Sequence, residues 1–140
     1  MLEELAAVRF PRSSDTRPVS TASRKDFDDL DDYHNWSASP PVNKKGYPLG
    51  QEPVTILERY LITRPSLLVP ETSFLNRLRR EVTVERIKPD SGSGWIVTTD
   101  DTDYRKVTVT IKLATTADAG SQSHIISEVS RIFSYVPLSP

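Results

Sequence analysis

Alternation of apolar and polar residues is the strongest signal in this chain. From Tyr104 to Leu113, Val107, Val109, Ile111 and Leu113 alternate with Lys106, Thr108, Thr110 and Lys112, the period of a strand with one buried face. A second run, Arg80–Ile87, puts Val82 and Val84 on one face and charges mainly on the other. Trp95–Thr99 predicts a short strand between two turn signals, Lys88-Pro89-Asp90-Ser91-Gly92-Ser93-Gly94 and Asp100-Asp101-Thr102-Asp103. Thr115–Ser123 reads as loop. His124–Val136 fits two elements. Ile125, Ile126, Val129, Ile132, Phe133 and Val136 suit a helix face, while Ile125, Val129, Phe133 and Tyr135 share one parity of a strand.

The first half of the chain is less regular. Met1–Phe10 predicts a helix, with Met1, Leu2, Leu5, Ala6 and Val8 on one face and Glu3 and Glu4 on the other. Pro11 ends it, because proline excludes the helical conformation at the residue before it. This is either a short helix packed on the domain or the stub of a longer one that begins upstream. Ser13–Lys25 reads as loop and Ser37–Gly50 as extended chain and turns. Gln51–Ser73 is cut by Pro53, Pro65 and Pro70, and admits a helix over Val54–Ile62 or a strand over Thr55–Thr63. Its apolar residues, Leu57, Tyr60, Leu67 and Leu68 among them, are either tucked into the core or a contact surface for a partner, as is the Leu2, Leu5 and Val8 face of the helix.

Between the two loops lies the most specific stretch, Asp26-Phe27-Asp28-Asp29-Leu30-Asp31-Asp32-Tyr33-His34-Asn35-Trp36. A purely solvated acidic run has no use for Phe27, Leu30, Tyr33 and Trp36. Their spacing of three places them on one side of a tight helical turn or hook. The expectation is a segment clamped onto the domain by these residues, with its carboxylates turned outward. The elements sum to an α+β fold: one N-terminal helix on an antiparallel sheet of about four strands. They make a single domain over 1–140, with a helix end at 1–10, irregular connection over 11–73 including the acidic hook 26–41, and sheet over 74–136.

The length of 140 residues suits one domain, and the 36% apolar content is low without reaching the disordered range. Eleven prolines against five glycines suit a chain with much ordered, irregular connection. A net charge of −1 gives no global field favouring nucleic acid. The absence of cysteine removes disulfides, thiolate metal sites and cysteine nucleophiles. No apolar run is long enough for a transmembrane helix.

No catalytic motif is present, so the expectation is a non-enzymatic protein without a resident cofactor. Asp28, Asp29, Asp31 and Asp32 are the candidate ligands for calcium, which takes six to eight hard oxygens. The glycine and terminal glutamate of an EF-hand are missing, and capping of backbone N–H groups competes as an explanation. Asp100, Asp101 and Asp103 form a second such group, against a plain polar turn. His34 and His124 lie in no metal or triad motif and read as surface or hydrogen-bonded structural residues. Arg77, Arg79 and Arg80 form a local basic patch without interleaved aromatics. Trp36 and Trp95 read as core or sheet anchors.

Three pieces carry a resemblance to the type IV pilin-like family, in particular minor pilins of the mannose-sensitive haemagglutinin type and minor pseudopilins of type II secretion. Met1–Phe10 is similar to the end of the long pilin helix. The run from Phe27 to Pro41 resembles the family's acidic, aromatic-studded segment over nearly its whole length. Arg80–Glu85 and Arg105–Thr110 look like two core strands. The resemblance implies a strand over His124–Val136. It also implies an upstream leader and membrane helix, so that Met1 is a truncated start, and it makes Gln51–Ser73 an insertion where relatives have a short turn. The protein would then be inner-membrane anchored, with this part in the periplasm or in an extracellular filament. Its partners would be other pilin-like subunits and the assembly machinery. The alternative is an adhesion or ligand-binding module that uses residues 51–73, with or without calcium.

Overall fold

The computed structural model describes residues 1–11, 24–56, 60–62, 73–92, 94–114 and 123–135. They form one short helix and an antiparallel sheet, an α+β arrangement. In chain order the elements are helix α1 (Leu2–Ala7), β1 (Trp36–Ala38), β2 (Val54–Ile56), β3 (Tyr60–Ile62), β4 (Leu78–Asp90), β5 (Gly94–Val97), β6 (Tyr104–Ala114) and β7 (Ser123–Ser134), with 3-10 turns at Arg24–Asp26, Asp31–Tyr33 and Ser73–Arg77. The sheet runs β1-β4-β6-β7. β5 lies on the same side of β4 as β1, at the other end of that long strand.

The alternation seen in the sequence sets the faces. β4 and β6 pair without interruption from Leu78 opposite Leu113 to Arg86 opposite Arg105. Val82, Val84, Val107 and Val109 therefore share one face. They are buried there with Leu5 of α1 and with Phe27, Leu30 and Tyr33, while Leu2, Val8 and Trp36 pack against them partly buried. The opposite face is polar over its middle, with Lys112 against Glu81 at 2.5 Å and Thr108 against Ser130 at 2.9 Å. At its lower end Ile87, Trp95, Val97 and Ile132 line a shallow hollow.

Several elements differ from expectation. The helix stops at Ala7; Val8 is extended and Arg9 bridges to Asp29, so Met1–Phe10 is helical over six residues only. β4 runs on to Asp90 through residues that read as turn. Pro89 is tolerated because, on the alternation fixed by the Thr98-to-Arg86 hydrogen bond, its missing N–H faces the side where β6 has already ended. Trp36–Ala38, read as irregular chain, adds β1 to the sheet edge. Within 51–73 the described residues fit neither a helix over 54–62 nor one strand over 55–63, because β2 and β3 pair antiparallel with each other in a separate two-stranded sheet. Leu57, Leu67 and Leu68 lie outside the described residues, and Tyr60 opens β3. Of the ambiguous stretch His124–Val136, the residues up to Ser134 form β7, the strand that the resemblance implies, and Val136 lies outside the described residues. No helix among the described residues is long and apolar enough to cross a membrane.

Candidate functional site

The acidic stretch is folded onto the helix and the sheet. Its 3-10 turn at Asp31–Tyr33 brings Leu30 and Tyr33 inward beside Phe27, and the Phe27 and Tyr33 rings meet edge to face at 4.9 Å. Asn35, with φ 63°, then turns the chain into β1, a conformation asparagine adopts more readily than most residues. Burial of Phe27, Leu30 and Tyr33 stabilises the docked form by about 1.5–3 kcal/mol per side chain before the entropy of ordering is counted.

The carboxylates do not all turn outward as expected. Asp26 and Asp28 are exposed, whereas Asp29, Asp31 and Asp32 are buried. Each of the three has a partner. Asp32 Oδ2 accepts the backbone N–H groups of Asp28 and Asp29 at 2.8 and 3.2 Å, and Asp29 Oδ1 accepts that of Asp32 at 3.2 Å. The segment thus closes its own turn with side chains. Asp31 points instead at Arg105 of β6. Its two oxygens receive Nε and Nη2 at 2.9 and 3.4 Å, and Arg86 of β4 stands 3.7 Å away. Arg105 is 1% exposed, and its remaining donors reach the carbonyls of Thr102 and Tyr104 at 2.6 and 3.1 Å. A paired and hydrogen-bonded guanidinium is the form in which a buried arginine is tolerated.

A second junction holds the helix. Glu4, expected on the solvent face, is partly buried. Arg24 donates Nε to Glu4 Oε1 at 3.1 Å and Nη2 to Glu4 Oε2, and the Tyr33 hydroxyl donates to Oε1 at 3.0 Å. Arg24 also lies over the Trp36 ring, 4.8 Å from its centroid, and donates to the Val42 carbonyl at 2.7 Å. Arg80 shares both the Trp36 ring and the Val42 carbonyl. Arg9, just past the helix, pairs with Asp28 at 3.0 Å.

These contacts shift the titrations. Burial works to raise Glu4, but the hydrogen bonds from Arg24 and Tyr33 outweigh it and hold its carboxyl below the usual range. Burial, then the Glu4 carboxylate, pushes the Tyr33 phenol up. Burial, then Arg24, lowers Arg80. Asp29 is pushed up from 3.8 to about 6, by burial first and by the Asp32 charge second.

Of the four proposed calcium ligands, Asp28, Asp29 and Asp32 come together, with one carboxylate oxygen each within 4.8 Å. Asp31 does not join them, because Arg105 takes its oxygens. Asp100 is drawn to Lys88 and Thr98, and Asp101 toward Arg105, so the second acidic group disperses along the connection that passes from β5 to β6 across the end of β4. His34 is a structural acceptor: its Nδ1 receives the Val84 N–H at 3.3 Å. His124 is exposed on β7. Arg80 leaves the proposed basic patch for the Trp36 ring, while Arg79 stays outside, bonded to Ser37 and Glu81. Trp36 is partly buried, but Trp95 is 43% exposed and touches Tyr104 on the open face, so it is no core residue.

Glu4, Arg24 and Arg105 were missed as site residues. Arg105 was detectable: it shares the apolar parity of Val107, Val109 and Ile111, and a charge on that parity demands a buried partner. Glu4 and Arg24 meet across twenty positions and carry no such mark. Scans against family models, curated proteins and solved structures found no match for this chain.

Proposed function

We propose that this chain is the head of a pilin-like or pseudopilin subunit, a structural protein that works by assembly with other pilin-like subunits and their assembly machinery. The observation that carries the reading is the double lock of the acidic segment. It grips α1 through Glu4, Arg24 and Tyr33, and the sheet through Asp31 and Arg105. A helix fastened to a sheet in this way transmits force between the two, which is what a head rooted on a helical stalk requires. The hook also coincides with the stretch whose sequence resembles the family. On this reading an upstream helix of ~20 apolar residues anchors the subunit in the inner membrane before assembly, and the head lies in the periplasm or on an extracellular filament.

The test is to tag the gene at its own locus in the source organism, and to probe the membrane fraction and sheared surface filaments for the product. The reading expects the protein in the inner membrane and in or beneath a filament, with filament assembly impaired when the gene is deleted. A product found only in the cytosol, with filaments and secretion unaffected by deletion, contradicts it.

A further inference from the structure

β7 closes one side of the sheet, and among the described residues nothing pairs with its outer edge. It is twelve residues long, and Ile125, Ile126, Val129 and Ile132 are 58%, 55%, 49% and 41% exposed. A long apolar edge with unpaired backbone groups is a template for another strand. The alternation on this edge is known: Tyr135 N–H donates to the Asp103 carbonyl at 2.8 Å, in step with the β6–β7 register, so odd-numbered backbone groups face β6. Those of Glu128, Ser130 and Ile132 point outward.

We propose that this edge pairs antiparallel with β7 of a second copy, about a two-fold axis at Val129. The sequence says which occupant fits, because Ile126-Ser127-Glu128-Val129-Ser130-Arg131-Ile132 is close to a palindrome in polarity. Centred on Val129, Ile126 meets Ile132, Ser127 meets Arg131, Glu128 meets Ser130 and Val129 meets itself. Apolar residues oppose apolar ones and no like charges face each other. Neighbouring registers fail. Centred on Glu128, two carboxylates collide; centred on Ser130, Val129 faces Arg131 and Glu128 faces Ile132. A two-fold interface must be self-complementary, and only the Val129 register among these is. The outward donors at 128 and 130 are the pair that this register bonds. The bulge beside Ile111, which leaves Ile126 without a β6 partner, limits the flush ladder to the stretch from Ser127 to Arg131 and the isoleucines flanking it. This proposal does not depend on the pilin reading.

The chain has no cysteine, so a single introduced thiol reports the register. In the proposed dimer Val129 forms a non-hydrogen-bonded pair with its own copy, with Cα atoms about 4.5 Å apart, within disulfide reach. Ser127 lies four residues from its own copy along the ladder, about 13 Å away. Mild oxidation of Val129→Cys gives a covalent dimer, and Ser127→Cys under the same conditions does not. Sedimentation equilibrium of the unmodified chain shows a monomer–dimer equilibrium. Ser130→Pro, which removes an outward backbone donor and, toward β6, only the exposed hydroxyl bond to Thr108, shifts that equilibrium to monomer with the far-ultraviolet circular dichroism unchanged. A chain monomeric at every concentration, or equal cross-linking at 127 and 129, overturns the proposal.

Discussion

Arg105 and Asp31 carry the strongest single contact between the acidic segment and the sheet. Removing one partner of a buried ion pair leaves the other charge without compensation, at a cost of about 3–5 kcal/mol. Arg105→Ala and Asp31→Ala are therefore each expected to lower the denaturant midpoint strongly. The double variant should lose clearly less than the sum, because the second change removes the stranded charge. Additive losses in urea unfolding would mean that the two side chains do not meet. Asp29 gives a pH signature. Its carboxyl rises from 3.8 to about 6 on folding, so the native state binds the extra proton between those values. The stability it contributes is greatest at low pH and is lost as pH rises through about 6. Glu4 works the other way: its lowered carboxyl adds stability above its ordinary 4.5, which disappears as pH falls through the folded value. Asp29→Asn should flatten the decline in melting temperature between about pH 4 and 6. Glu4→Gln should flatten the acid limb below that window. If neither profile changes, these two environments are wrongly assigned.

At the scale of elements, β6 lies almost where residue patterning puts it, whereas for β7 patterning places an element but leaves helix and strand open, and only the resemblance implies a strand. Period-two alternation is the direct imprint of a sheet with one covered face. The end of β4, from Lys88 to Asp90, reads as turn because Lys88-Pro89-Asp90 carries turn chemistry. Its extended form depends on β5 pairing alongside, which no local pattern contains. β1 was missed for the same reason: Trp36–Ala38 is three residues long, and β4 defines it rather than its own sequence. The hook was foreseen as a clamp from its apolar spacing. The burial of its carboxylates was not: that of Asp31 depends on an arginine 74 positions away, and Asp29 and Asp32 turn inward to bond backbone N–H groups of the segment itself. α1 is too short to be stable alone and exists through its packing. Leu5, wholly buried at the junction of helix, hook and sheet, is its anchor. Leu5→Ala is expected to cost about 2–5 kcal/mol, read as a fall in the unfolding midpoint, whereas Glu3→Ala on the exposed side should change it little.

Across the molecule, the two faces of the sheet have different work. One is covered by α1 and the hook and holds the hydrophobic core. The other is uncovered among the described residues, and the sheet's far edge, β7, meets the core only near its end, where Phe133 packs against it. Helix, hook and sheet are cross-tied by Arg9, Arg24, Arg86 and Arg105, each from a different segment, to carboxylates of α1 and the hook. These ties join the three into one body, the feature on which the assembly reading rests. Amide hydrogen exchange tests this most directly, because the N–H of Leu5 is bonded inside α1 and those of Asp28, Asp29, Asp32, Tyr33 and His34 inside the acidic hook, the two halves of one clasp on the sheet. If the clasp is part of the folded body, these amides exchange within about tenfold of those of Thr83, Glu85 and Val107, which lie inside the β4–β6–β7 ladder and do not bond to the hook. Exchange of the clasp amides at the rate of an unstructured peptide, while the strand amides stay protected, would contradict the account.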